Sequence, residues 1–175
     1  LLLFNLKLNK IGLFYGSTSG STETTARKII KFLGKDYVEI YDVSSARHED
    51  FLKFNRLILG IPTWGIGEMQ EDWKDFILEM PAVDLNNKKI ALFGLGDQES
   101  YPDTFADALG KLYDGMISMN GQVVGAWSVE GYNFFESFAC RNNQFVGLVL
   151  DEDNQADLSD LRIQTWLKMI IPEMR

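Results

Sequence analysis

The chain has 175 residues, a formal charge of −8 from 17 Lys and Arg against 25 Asp and Glu, and 46% hydrophobic residues. That length suits one well-buried domain, residues 1–175, and that composition excludes a disordered chain. The acidity argues against nucleic acid or an anionic membrane as partner and favours a basic protein surface, if a charged partner exists at all. With one cysteine, Cys140, and one histidine, His48, neither an internal disulfide nor a zinc site of several His or Cys ligands is possible. No apolar run approaches the ~20 residues that span a bilayer.

The opening "LLLFNLKLNK" precedes a strand that is already complete. Residues 1–9 are expected to be an extension or a processing remnant and are kept out of the fold argument. "IGLFY" (11–15) reads as a buried parallel strand, and "TETTARKIIKFL" (22–33) as a helix with Ala26, Ile29, Ile30 and Leu33 on one face. "YVEIYDV" (37–43) alternates as a second strand. "ARHEDFLKF" suggests a short helix with His48 as a surface residue, and "RLILG" (56–60) is a third strand. "IPTWGIGEMQ" (61–70) carries a proline and two glycines and is expected to continue neither element.

"EDWKDFILEM" resumes as a helix with acids in its first turn, and "KKIALFGLG" (88–96) is a fourth strand. "PDTFADALGKLYDGMISMNG" is expected to be a long helix with Pro102 at its start and Gly121 just past its end. "QVVGAWSV" is a fifth strand, and residues 157–171 form a closing helix with Leu161, Trp166, Leu167 and Ile170 inward. "EGYNFFESFACRNNQ" and "FVGLVL" stand between them. They read as an insertion splitting the fifth strand, with "RNNQ" as a hairpin turn.

Alternating strands and helices imply an α/β fold with a parallel sheet and right-handed crossovers. Three loops at strand carboxyl ends carry unusual residues: "GSTSGST", "IPTWGIGEM" and "GLGDQESYPD". They converge on one site if the five strands lie in the order 2-1-3-4-5. The first loop offers the hydroxyls of Ser17, Thr18, Ser19, Ser21 and Thr22, and the helix N-terminus after Gly20 adds N–H groups for a phosphate. Position 21 is serine where a Walker loop needs lysine, so a nucleoside triphosphate is disfavoured. Trp64 and Tyr101, on the other two loops, suit a flat heteroaromatic ring held between them, with Asp97 accepting from its N–H groups.

Together, "IGLFYGSTSGSTE", "LILGIPTWGIGEMQEDW", "ALFGLGDQESYPD" and "FVGLVLDEDNQADLSDLRIQTWL" resemble the long-chain flavodoxins of bacteria, cyanobacteria and algae, over nearly the whole chain. The resemblance implies a flavodoxin-like three-layer sandwich whose fifth strand is split by the insertion. It also implies one non-covalent FMN and a low-potential one-electron carrier that shuttles between semiquinone and hydroquinone and turns over no substrate. Ser17 to Thr22 would form the phosphate loop, with Ser19 standing where threonine is usual. Trp64 would cover the inner face of the isoalloxazine and Tyr101 the outer face. Pro62 and Thr63 lead into the Trp64 loop, which continues through Gly67, and Leu95 leads into the next. Backbone groups of Gly65, Ile66, Gly96, Asp97 and Thr104 would meet the pyrimidine edge and N5, and Asp153 would lie near the ribityl chain or the phosphate loop.

Position 65 is asparagine in many cyanobacterial members. Glycine here is expected to ease the peptide flip that stabilises the semiquinone. Ferredoxin–NADP reductase, photosystem I and nitrogenase are the implied partners. A monomer in the cytoplasm, or in the plastid stroma of an alga, is the implied setting. An FMN-dependent quinone reductase on the same fold is the rival reading, although Tyr101 should cover the face such an enzyme keeps open. A phosphorelay receiver domain would need acids where Tyr15-Gly16 and Gly60-Ile61 stand, and a low-molecular-weight phosphatase would need a cysteine in the first loop.

Overall fold

In the computed structural model, which describes residues 10–174, the first strand β1 (Ile11–Tyr15) lies inside the sheet, one strand in from its edge. It pairs in parallel with β2 (Val38–Asp42) on one side and with β3 (Arg56–Trp64) on the other. β5 (Lys89–Leu95) pairs in parallel with the far side of β3. The next position is shared by two strands. β6 (Gln122–Val124) pairs with Lys89–Ala91, and β10 (Leu148–Leu150) pairs with Phe93–Leu95. The expected order and the split fifth strand are both present. The chain leaves β6 at Gly125, whose φ of +82° turns it out of the sheet. It builds a small antiparallel sheet from β7 (Trp127–Ser128), β8 (Cys140–Arg141) and β9 (Gln144–Phe145), and re-enters at Leu148. Asn142 and Asn143, with φ of +51° and +61°, make the "RNNQ" hairpin turn.

Strand residues alternate between two helix layers because successive side chains point to opposite faces. Ile11, Leu13 and Tyr15 of β1 join Ile58, Ala91 and Phe93 against α1 (Ser21–Leu33) and α5 (Ala156–Glu173). Phe14, Leu57, Leu59, Ile90 and Leu92 face α2 (His48–Leu52), α3 (Glu71–Leu78) and α4 (Asp107–Ser118), with Trp73, Phe76, Leu109 and Leu112 filling the layer. His48 is half-buried rather than superficial. Its Nε2 lies 2.9 Å from the Phe76 carbonyl, and its ring rests 4.7 Å from the Phe76 ring, joining α2 to α3. No helix among the described residues is long and apolar enough to cross a membrane.

Three local expectations are corrected. β3 does not stop at Gly60; it runs through Pro62 to Trp64 and folds back in a tight hairpin onto β4 (Glu68–Met69). The Gly60 carbonyl faces β1, where it accepts the Gly16 N–H at 3.1 Å. Pro62, two residues on, therefore turns its missing N–H toward the side where β1 has ended. α4 begins at Asp107 rather than Pro102, because Ala106 adopts the left-handed region (φ +57°) and closes an irregular turn. Leu161 is 66% exposed. The inward face of α5 is Ser159, Arg162, Ile163, Trp166, Leu167 and Ile170.

Candidate functional site

The carboxyl ends of β1, β3 and β5 open at the point where the chain winds away from β1 in opposite directions. The first loop, residues 16–20, is drawn against the sheet by the Gly16 N–H, which donates to the Gly60 carbonyl; the same carbonyl accepts Trp73 Nε1 of α3 at 2.8 Å. The Gly20 N–H donates to Ser17 Oγ at 3.1 Å, and Gly20 caps α1 in the left-handed region with open space around it. The opening N–H groups of the helix thus lie over a loop of hydroxyls. Thr24 and Thr25 return their hydroxyls to the Gly20 and Ser21 carbonyls. Thr22 does not: its side chain is buried, and its Oγ1 has no partner among the described residues. A buried hydroxyl left unpaired costs about 1–3 kcal/mol, so this group suits a ligand oxygen. Helix N–H groups make that oxygen anionic by preference.

The second wall is the β3–β4 hairpin. Its tip takes φ of +48° at Gly65 and +76° at Gly67, a conformation that glycine adopts with little strain. The hairpin is pinned to α4, since Lys111 Nζ donates to the Gly67 carbonyl at 2.6 Å and the Ala108 N–H donates to Thr63 Oγ1 at 3.3 Å. A Cβ at Gly67 would fall 2.6 Å from an Asp107 carboxylate oxygen, so close approach as well as φ demands glycine there. The third wall is the turn after β5. Asp97 Oδ1 accepts the N–H groups of Glu99 (3.1 Å) and Ser100 (2.8 Å) and Asn154 Nδ2 (2.9 Å), and the Tyr101 N–H donates to the Asp97 carbonyl at 3.0 Å. Burial pushes the Asp97 carboxyl up, but the hydrogen bonds from Ser100, Asn154 and Glu99 outweigh it and hold it below the usual aspartate value.

These walls enclose a cleft of about 240 Å³ lined by Ser19, Ser21, Pro62, Thr63, Trp64, Gly65, Leu95, Asp97, Tyr101, Thr104 and Asp153, all expected from the sequence. Trp64 and Tyr101 come from separate loops and are 40% and 47% exposed, so both rings present a free surface to the same cleft. None of the lining residues is basic and two are aspartates. Ser17, Thr18, Gly20, Thr22, Ile66, Gly67 and Gly96 sit on the same loops but outside the lining. Ile66 stands at the hairpin tip, 81% exposed, and Gly96 packs tightly behind the cleft, its Cβ position 2.9 Å from the Ala106 nitrogen.

Phe105 and Ala106 also line the cleft and were not expected. Both fall inside the helix that the sequence pattern starts too early, and nothing in the sequence signals the left-handed Ala106. Gln70 was missed as well. It is buried behind the first loop, with Nε2 3.5 Å from Thr18 Oγ1 and shared with the Asp72 carboxylate.

Comparison with known proteins agrees with this architecture. The family model described as Flavodoxin matches residues 13–166. A flavodoxin of Synechocystis sp. is 48% identical over 166 residues, covering 94% of this chain and 98% of that protein. A flavodoxin of Haemophilus influenzae is 44% identical over 165 residues, covering 94% and 95%. Among solved structures, a Fusobacterium nucleatum flavodoxin bound to flavin mononucleotide superposes with a TM-score of 0.90 at 32% identity, over 95% of this chain and 99% of that one. The chain belongs to the flavodoxin family, and its split fifth strand is that of the long-chain type.

Proposed function

We propose that this chain holds one FMN non-covalently in the cleft and acts as a one-electron carrier rather than an enzyme, as its family membership implies. One juxtaposition carries the reading: two half-exposed aromatic rings, Trp64 and Tyr101, line a cleft that leads to the hydroxyl-rich N-terminus of α1. FMN when bound supplies one-electron chemistry over three redox levels. The chain supplies the rest. Ser17 to Thr22 hold the phosphate through hydroxyls and helix N–H groups, and the unpaired Thr22 Oγ1 gains a partner there. A phosphate that anchors rather than departs needs no lysine, which explains a phosphate loop without a cation.

Trp64 and Tyr101 take the two faces of the ring, with Pro62, Thr63 and Leu95 behind them. Backbone groups of Gly65, Ile66, Gly96, Asp97 and Thr104 meet its polar edge, Gly67 shapes the hairpin, and Asp153 stands beside the ribityl chain. Asp97 and Asp153 in the lining, with Glu68, Glu71, Asp72, Glu99 and Asp103 close to lining residues along the chain, make added negative charge in the cleft costly. That favours a strongly reducing carrier cycling between the half-reduced and fully reduced levels. The same acids suit redox partners with basic faces, such as ferredoxin–NADP reductase, photosystem I or nitrogenase, meeting a monomer in a cytoplasm or plastid stroma.

Quenching of FMN and riboflavin fluorescence by the cofactor-free protein tests the reading. FMN is expected to bind far more tightly than riboflavin, which lacks the phosphate. Thr22→Val should weaken FMN by about 1.5–3 kcal/mol, the range for a hydrogen bond to a charged group, and leave riboflavin unchanged. Equal affinity for the two flavins, or binding of neither, would contradict it.

A further inference from the structure

Asp151 closes the upper half of the split strand and is fully buried. A carboxylate in such a place is costly unless its oxygens are well satisfied. Every hydrogen bond it accepts among the described residues comes from a neutral donor. The Gln98 N–H (3.1 Å) and Gln98 Nε2 (2.7 Å) reach Oδ2, while the Asn154 N–H and Asn154 Nδ2 (both 3.0 Å) reach Oδ1, Nδ2 lying 3.0 Å from Oδ2 as well. Both donors lead to the third wall of the cleft. Asn154 Nδ2 also donates to Asp97 Oδ1 at 2.9 Å, and Gln98 Oε1 accepts the Asn133 N–H at 2.6 Å, bringing in the insertion. One buried carboxylate therefore ties the ends of β5 and β10 and the insertion to the turn of residues 97–101.

The Tyr101 side chain has no anchor of its own. Among the described residues its ring stacks on no other ring and its hydroxyl makes no hydrogen bond, so its placement depends on its backbone. That backbone hangs from Asp97, which depends in part on Asn154. We propose that Asp151 is a positioning residue: through Gln98 and Asn154 it fixes the 97–101 turn and thereby holds the Tyr101 ring over the cleft. Where the ring meets a flavin, this rests on the FMN reading above; the fixing of the turn does not.

Amide hydrogen exchange of the cofactor-free protein decides the point, compared with flavin binding of the same variants. Asp151→Asn replaces a carboxylate that accepts from four donor groups by a group that is half donor. Asn154→Ala removes the link to Asp97 at an exposed position and carries the test if Asp151→Asn does not fold. In both, exchange at Glu99, Ser100 and Tyr101 should quicken by about tenfold or more, with amides of β1 and β3 unmoved. FMN affinity should fall by about tenfold. Combining Asn154→Ala with Tyr101→Ala should weaken binding hardly more than Tyr101→Ala alone, because both act through one ring. Exchange at 99–101 within twofold of wild type would overturn the proposal, as would losses that multiply fully in the double variant. If exchange quickens while the wild-type protein binds no FMN, the turn-fixing role stands and the cofactor reading falls.

Discussion

At the residue scale, Gly65 is where the sequence departs most from what its resemblance leads one to expect, and the structure gives the departure a physical setting. Its φ is +48°, and a Cβ there would meet nothing nearer than Glu68 Oε2 at 4.0 Å. Asparagine fits that space and tolerates positive φ at a strain of about 1 kcal/mol, so Gly65→Asn should fold and bind flavin normally. What changes is the freedom of the peptide beside the ring edge. Gly65→Asn is expected to lower the yield of half-reduced flavin in a reductive titration, and an equal or higher yield would refute the role given to glycine. The residues of this site were largely legible because their chemistry is unusual for their position: hydroxyls without lysine, and aromatics on glycine-rich loops. Phe105 and Asp151 were not. Phe105 is an ordinary apolar residue, and the role of Asp151 exists only once β5 and β10 are brought side by side.

At the element scale, the insertion is a packed structure as well as an extension of the surface. Tyr132, half-buried within it, donates to the Val149 carbonyl at 2.5 Å and accepts Trp127 Nε1 at 3.0 Å, with the Arg162 guanidinium 4.1 Å above its ring. Burial pushes its phenol up to about 12, against the favourable charge of Arg162. Between the unfolded value near 10 and this folded value the native state holds the extra proton. The stabilisation is therefore complete below pH 10 and is lost as pH rises toward 12. Tyr132→Phe should destabilise the protein by about 1–3 kcal/mol at neutral pH by orphaning Val149 and Trp127. It should also flatten that alkaline loss in denaturant titrations; an unchanged slope above pH 10 would count against the assignment.

In the insertion, Phe134 packs on the core, whereas Phe135 and Phe138 are 76% and 44% exposed. The splitting of the strand could be read from two apolar runs separated by polar and aromatic residues with an Asn-Asn turn. The extension of β3 through Pro62 could not, since proline normally ends a strand and only the early end of β1 makes it harmless. The α5 stripe was misread at Leu161 because polar Ser159 and Arg162 occupy its buried face.

At the scale of the whole molecule, the two ends of α1 differ in charge. α1 starts at the cleft and runs 13 residues, about 20 Å, away from it. Lys31 and Lys35 lie at its far end, where the helix dipole also favours positive charge. Glu68, Glu99 and Asp103, all exposed, stand on the segments that also supply the cleft lining. On the proposed reading, such a charge difference would orient a basic partner toward the cleft before contact. Electron transfer to a basic acceptor such as cytochrome c should slow as ionic strength rises and the Debye length falls from ~30 Å at 0.01 M toward ~10 Å at 0.1 M. Rates independent of salt would remove the steering argument.

The central claim is that this cleft carries a flavin that works one electron at a time. Anaerobic reductive titration of the purified holoprotein, followed by its visible spectrum, tests it most directly. The account predicts a yellow protein that first gains a long-wavelength band as one electron is added and bleaches only at a distinctly lower potential. Bleaching in a single two-electron step, or a protein that stays colourless after FMN is supplied, would contradict it.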